Sequence, residues 1–227
     1  GVIKGEQVDI KLTGNLTNTQ QADTAGAITG LVNEDSSVAA SLMLDVNQLI
    51  NNAGGYLQTT DNLGITANDF TNTGGYVLAI QRTDGSDADE AVSFANANWS
   101  IDATTFENDG GIIQKNNDGA LTLTGTTLSN INSAAMAVAG TLDIDHATIT
   151  NNLSSLMGKS VDIDANALAN SGGVVQGEQI NIKLTGSLTN AQQADTAGAI
   201  TALVFEYAGV PPALIAYPNQ LTTNAGG

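Results

Sequence analysis

An apolar residue, any residue, then Asn recurs along the chain. It occurs at Leu16-Thr17-Asn18, Leu49-Ile50-Asn51, Phe70-Thr71-Asn72, Phe106-Glu107-Asn108, Leu128-Ser129-Asn130, Ile149-Thr150-Asn151, Leu168-Ala169-Asn170 and Leu188-Thr189-Asn190. A ninth copy, Leu221-Thr222-Thr223, has lost the Asn. The apolar positions are 33, 21, 36, 22, 21, 19, 20 and 33 residues apart, a basic step near 20 with two kinds of insertion. Periods of this size mark stacked-repeat architectures. The step is too short for a propeller blade, which takes about 40 residues, and it has no helical periodicity.

Five residues before most markers stands an alternating pair: Leu63-Gly64-Ile65, Trp99-Ser100-Ile101, Leu121-Thr122-Leu123, Leu142-Asp143-Ile144 and Val161-Asp162-Ile163. Period-two alternation means a strand with one buried face. After several markers comes a glycine and an apolar pair, as in Gly55-Tyr56-Leu57, Gly75-Tyr76-Val77, Gly111-Ile112-Ile113 and Gly173-Val174-Val175. Each step therefore carries about three short strands divided by turns rich in Gly and Asn. The expected fold is all-β: a parallel β-helix of about nine coils near 20 residues each, with longer insertions. Right-handed winding is expected from the general bias of parallel crossovers. Stacking at about 4.8 Å per coil gives a rod of roughly 40 Å.

A longer repeat overlies the short one. Residues 1–55 align without a gap on residues 173–227, and 25 of the first 32 positions are identical. The chain is thus read as one β-helical domain holding a 172-residue super-repeat, 1–172, and a partial second copy, 173–227. That arrangement reads as a segment of a longer array. Excursions from the rod are expected at about 20–45, 81–98 and 192–217. The first and last diverge in sequence at constant length, as surface excursions on a fixed scaffold do.

On this reading Leu142 and Ile144 stack on Val161 and Ile163, and those on Ile180 and Ile182. The core is a column of aliphatic side chains, which explains how a chain with only 4% aromatic residues can fold. The repeated Asn18, Asn51, Asn72, Asn108, Asn130, Asn151, Asn170 and Asn190 form a structural ladder, each amide able to donate and accept between coils.

Six Lys plus Arg against 23 Asp plus Glu give a net charge of −17, which disfavours nucleic acid and anionic lipid as partners. No apolar run approaches the length of a membrane-spanning helix, so no membrane insertion is expected. With no Cys and one His, thiol nucleophiles, thiolate metal sites and paired-imidazole sites are excluded. The chain is expected to be non-enzymatic, without cofactor or catalytic residues.

Asp143, Asp162 and Asn181 fall 19 apart, as do Asp145, Asp164 and Lys183, so outward acids stack in adjacent coils. They resemble in kind the acidic clusters of β-helical pectin-cleaving enzymes, and such oxygens can bind Ca²⁺. A solvated acidic face relieved by Lys183 is the simpler reading. The run containing Asp84, Asp87, Asp89 and Glu90 reads as an exposed acidic loop, with Ca²⁺ binding as the alternative; it lacks the residue order of an EF-hand. His146, after Asp145 in a turn-like stretch, is read as an ordinary surface histidine.

Phe70-Thr71-Asn72-Thr73-Gly74-Gly75 and Leu168-Ala169-Asn170-Ser171-Gly172-Gly173-Val174-Val175-Gln176-Gly177, with the Leu-x-Ile pairs before them, resemble the filamentous hemagglutinin repeats. Such repeats build the shafts of large bacterial exoproteins exported by two-partner secretion, including adhesins and contact-dependent growth-inhibition proteins. The resemblance implies a rod outside a Gram-negative cell, exported through an outer-membrane transporter partner. It further implies a shaft that presents a binding or toxic tip and touches a host-cell or bacterial receptor or glycan through its insertions. The absence of a polar terminal cap makes end-to-end or lateral self-association an expectation too.

Overall fold

The computed structural model describes residues 1–31, 38–80, 97–202, 213–218 and 220–223. These residues form twenty strands joined in one parallel sheet that winds about an axis, a parallel β-helix. Three walls repeat in chain order. The first wall runs through Val2–Gly5, Gly26–Gly30, Gly55–Thr59, Tyr76–Ala79, Ile112–Lys115, Val174–Gly177 and Ala199–Ala202. The second begins with Gln7–Lys11 and the third with Asn15–Asn18. In several coils the second and third walls belong to one bent strand, such as Ser41–Asn52 or Asn62–Thr73. In the sixth coil all three walls are one strand, Ala135–Asn152, with a register shift between Val138 and Thr141 where it turns a corner. At that corner Ala139 and Gly140 stand against Lys159 alone, so this coil holds one residue more than the next there.

The register confirms the stacking read from the repeats. Leu142, Asp143 and Ile144 pair with Val161, Asp162 and Ile163, which pair in turn with Ile180, Asn181 and Ile182. Nine rungs stack on each wall, from Val8 to Leu214 on the second and from Leu16 to Leu221 on the third. Because a strand turns alternate side chains to opposite faces, one apolar residue per coil enters each of four inward columns. Ile28, Leu57, Val77, Ile113, Met136, Leu156 and Val175 fill the column from the first wall, and all are buried. Where larger rings replace aliphatics they stack: Phe70 lies on Phe106 with centroids 4.8 Å apart and planes 3° apart. Trp99 takes a Leu position and satisfies its indole N–H on the Asp61 carbonyl at 2.8 Å.

The coil continues across the super-repeat boundary. Leu168–Ser171 pairs in register with Leu188–Ala191, and Ser160–Ala165 with Gln179–Leu184. The excursions are narrower than the sequence divergence suggested. Within 20–45, Gly26–Gly30 is a first-wall strand on Gly55–Thr59, and Leu42 and Leu44 belong to the core. Only residues 31–40 connect those walls. Likewise Ala199–Ala202 and Ala213–Tyr217, inside 192–217, stack on the coil below. The strands before residues 31–40, 80–98 and 203–212 belong to the first wall and those after them to the second, so all three intervals fall at the same step of the coil.

Candidate functional site

The asparagine ladder runs inside the corner after the third wall. Each amide Nδ2 donates to the Oδ1 of the next Asn: Asn18 to Asn51 at 2.8 Å, Asn51 to Asn72 at 2.8 Å, Asn72 to Asn108 at 2.7 Å and Asn108 to Asn130 at 2.9 Å. The series continues from Asn130 to Asn151 at 2.9 Å, Asn151 to Asn170 at 2.8 Å and Asn170 to Asn190 at 2.7 Å. All the bonds point one way along the rod. Second amide hydrogens reach backbone carbonyls, as from Asn130 to Ser155 at 3.0 Å and from Asn170 to Gly173 at 2.9 Å. Asn51, Asn72, Asn108, Asn130, Asn151 and Asn170 are wholly buried, so the amide pays its desolvation only because donors and acceptors are matched.

The ladder explains the glycine that follows it. A Cβ on Gly173 would lie 2.5 Å from Asn151 Nδ2 and 2.6 Å from Asn170 Oδ1. The preceding Gly172 has φ +59°, in the left-handed region. In two coils Ala134 and Ser154 take the glycine position, after turns with left-handed Asn132, Ser133 and Leu153. There the Ser154 hydroxyl accepts from the Ala134 N–H at 3.1 Å and donates to the Asn152 carbonyl at 2.9 Å.

Asp143, Asp145, Asp162 and Asp164 do lie on the outer face of the second wall in adjacent coils. Lys183 reaches Asp164 at 2.8 Å, and Lys11 reaches Asp45 at 2.8 Å on the same wall. Partial burial, then the charges of Asp162 and Asp145, raise the Asp143 pKa. The bond to Asp164 and its charge raise that of Lys183. Among the described residues no group of three or more His, Asp or Glu is arranged to hold a metal ion. Asp84, Asp87, Asp89 and Glu90 lie outside the described residues.

His146 is not a surface residue. It belongs to the strand Ala135–Asn152, two residues beyond inward Ile144, and is 1% exposed. It pairs in register with Gly125, whose missing side chain leaves the ring its space: a Cβ there would come 3.0 Å from Nε2. Neither ring nitrogen has a hydrogen-bond partner of normal geometry. Burial drives its pKa down to about 4, against the opposing pull of Asp145, the Leu123 backbone and Asp102. The same alternation places Lys115, two residues past Ile113, inside the rod. Its ammonium is capped by the turn that follows, donating to the Asn117 carbonyl at 3.1 Å, the Gly119 carbonyl at 2.5 Å and the Asn117 side chain. Burial lowers its pKa to about 8, and Asp118 opposes the shift. Two buried ionisable groups without a reacting partner are structural elements of the coil corners.

A notch of about 450 Å³ lies on the edge between the first and second walls. Its floor is Ala137, Ala139, Gly158 and Gly177, and Gln114, Lys159 and Glu178 border it. No helix among the described residues is long and apolar enough to cross a membrane. Compared with protein-family models, curated proteins and solved structures, the chain matches none.

Proposed function

We propose that this chain is a non-enzymatic shaft segment of a large secreted bacterial surface protein of the filamentous hemagglutinin type, exported through an outer-membrane transporter. The carrying observation is the unbroken coil across the super-repeat boundary, where Leu168–Ser171 supports Leu188–Ala191 in register. Such a join lets a unit be duplicated to lengthen a rod without a new interface, because each coil contacts only its neighbours. Buried columns and the amide ladder supply the stiffness a shaft requires, and net charge −17 keeps it soluble. The imidazole near the second-wall acids Asp145 and Asp102 is that of His146, which is 1% exposed inside the rod and out of reach of a substrate on the outer face, and Lys183 already neutralises Asp164.

The test is surface staining. Antibody raised against the chain should stain intact bacteria of the source strain; staining only after permeabilisation overturns the assignment. A parallel incubation with pectin and alginate should release no product. Cleavage that is lost in Asp143→Asn and Asp162→Asn would make the acidic wall a catalytic groove instead.

A second reading is favoured by the common step of the coil at which residues 31–40, 80–98 and 203–212 fall. Segments of variable sequence anchored on a rigid scaffold suit recognition of a receptor or glycan. A cell-binding or glycan-array assay comparing the chain with versions lacking 81–98 or 205–218 separates a binding module from a passive shaft.

A further inference from the structure

The three outer faces differ in charge. The second wall carries Asp9, Asp45, Asp102, Asp143, Asp145, Asp162 and Asp164, and the third carries Asp69, Glu107 and Asp109. The strands of the first wall, from Val2–Gly5 to Ala199–Ala202, contain no carboxylate. In a chain of net charge −17, that is the face on which a like-charged molecule meets no repulsive side chain.

The outward residues of this face differ in size on the two sides of Ile112. One column reads Val2, Ala27, Tyr56, Tyr76, Ile112, Ala135, Ser155, Val174, Ala199 in successive coils. Tyr56 and Tyr76 stack on each other, centroids 4.8 Å apart, and form a raised patch below Ile112, while small residues follow above it. The neighbouring column reads Gln58, Leu78, Gln114, Ala137, Met157, with its one small residue directly above Gln114.

We propose that the outer face of the first wall binds a second copy of this chain, the two rods lying antiparallel about a two-fold axis at Ile112. A two-fold axis in the plane of the face and perpendicular to the rods keeps each column opposite itself and reverses coil order. Tyr76 then meets Ala135, Tyr56 meets Ser155 and Leu78 meets Ala137, bulk against hollow, Ile112 meets Ile112, and the unbranched Gln58 and Met157 lie side by side. A parallel pair would set the Tyr76 row against the Leu78 row, bulk against bulk. Seven coils at about 4.8 Å each and a strip roughly 12 Å wide give on the order of 400 Å² per copy. That total lies below the roughly 1,200 Å² of a stable interface, so the pairing is transient for one chain. It multiplies when units repeat along a longer rod.

Sedimentation velocity on the full chain tests this, across a range of concentrations at roughly 0.05 M and 0.5 M salt, since the higher salt screens the residual repulsion. The weight-average mass should rise from 23.1 kDa towards twice that value, more so at high salt. Ile112→Glu should hold it at the monomer mass, and Thr127→Glu, on the outer third wall of the same coil, should not. Because the chain has no Cys, Ile112→Cys under mild oxidation should give a disulfide-linked dimer, and Thr127→Cys should give far less. The second pair of variants decides the matter even if Ile112→Glu fails to fold. A monomer at every salt and concentration, a dimer that survives Ile112→Glu, or equal cross-linking by the two Cys variants would overturn the proposal. A monomer whose glycan or receptor binding is lost in Ile112→Glu would assign the face to that other occupant.

Discussion

Replacing Asn151 by Ala removes an amide in the interior of the ladder. Asn151 is wholly buried, accepts from Asn130 at 2.9 Å and donates to Asn170 at 2.8 Å, with further contacts to the Ser154 and Val174 carbonyls at 3.2 Å. The variant leaves one hydrogen of Asn130 without an acceptor and Asn170 Oδ1 without a donor, in a space water does not reach. An unsatisfied buried group costs roughly 1–3 kcal/mol, so the pair gives about 3–4 kcal/mol. At roughly 2–4 °C per kcal/mol for a chain of this size, the melting temperature should fall by about 10 °C. Asn18, at the first rung, is partnered on one side only and slightly exposed, so Asn18→Ala should cost about 1 kcal/mol. Asn151→Asp isolates direction: the carboxylate still accepts from Asn130 but presents oxygen to Asn170 Oδ1 and buries a charge. It should be at least as damaging as Ala at neutral pH, and partly recover in acid, where a protonated oxygen can donate. Thermal denaturation by circular dichroism, with hydrogen exchange to localise the opening, measures all three. Equal losses in Asn151→Ala and Asn18→Ala, or losses under about 0.5 kcal/mol in both, would refute a cooperative buried ladder.

Three other perturbations test the remaining elements. His146 has a folded pKa near 4 and an unfolded value of 6.5, so its neutral form stabilises the fold fully above pH 6.5, and that contribution is lost as pH falls towards 4. The loss is about 3 kcal/mol at most, and His146→Leu should abolish it, read as the difference in melting temperature between variant and wild type from pH 7 to 4; parallel curves would contradict it. Gly173→Ala should destabilise by more than about 1 kcal/mol, because its Cβ would meet both Asn151 and Asn170, and a neutral result in urea unfolding would show that the corner has slack. Lys115→Met should expose residues 115–120 to faster hydrogen exchange, since the carbonyls of Asn117 and Gly119 lose their donor; unchanged exchange would mean that the turn holds itself.

Period-two alternation, carried through to its end, gives more than the apolar columns. It placed Leu142 and Ile144 inward and Asp143 and Asp145 outward, and extending it by one position would have put His146 inside, with Gly125 one step below as the compensating hole. Lys115 obeys the same rule after Ile113. Both were obscured because a charge or an imidazole reads as a surface residue when its solvation is judged without its neighbours. The strand Gly26–Gly30 was obscured for another reason: between two glycines it offers one large inward residue, Ile28, and is recognisable only by its partners Leu57 and Ile3. The ladder was legible because every rung repeats the same residue. The first wall's carboxylate-free outer face was not, since its outward residues differ from coil to coil and share only the absence of a carboxylate.

Distances between spin labels on the outer third wall test the coil most directly. Thr17, Thr71 and Thr189 lie on that wall in the first, third and eighth coils. At about 4.8 Å per coil, pulsed electron resonance should give about 24 Å between 71 and 189 and about 34 Å between 17 and 189. Both separations should therefore correspond to one strand spacing per coil. Distances that do not grow in proportion to coil number would contradict the stacked coil and every surface assignment built upon it.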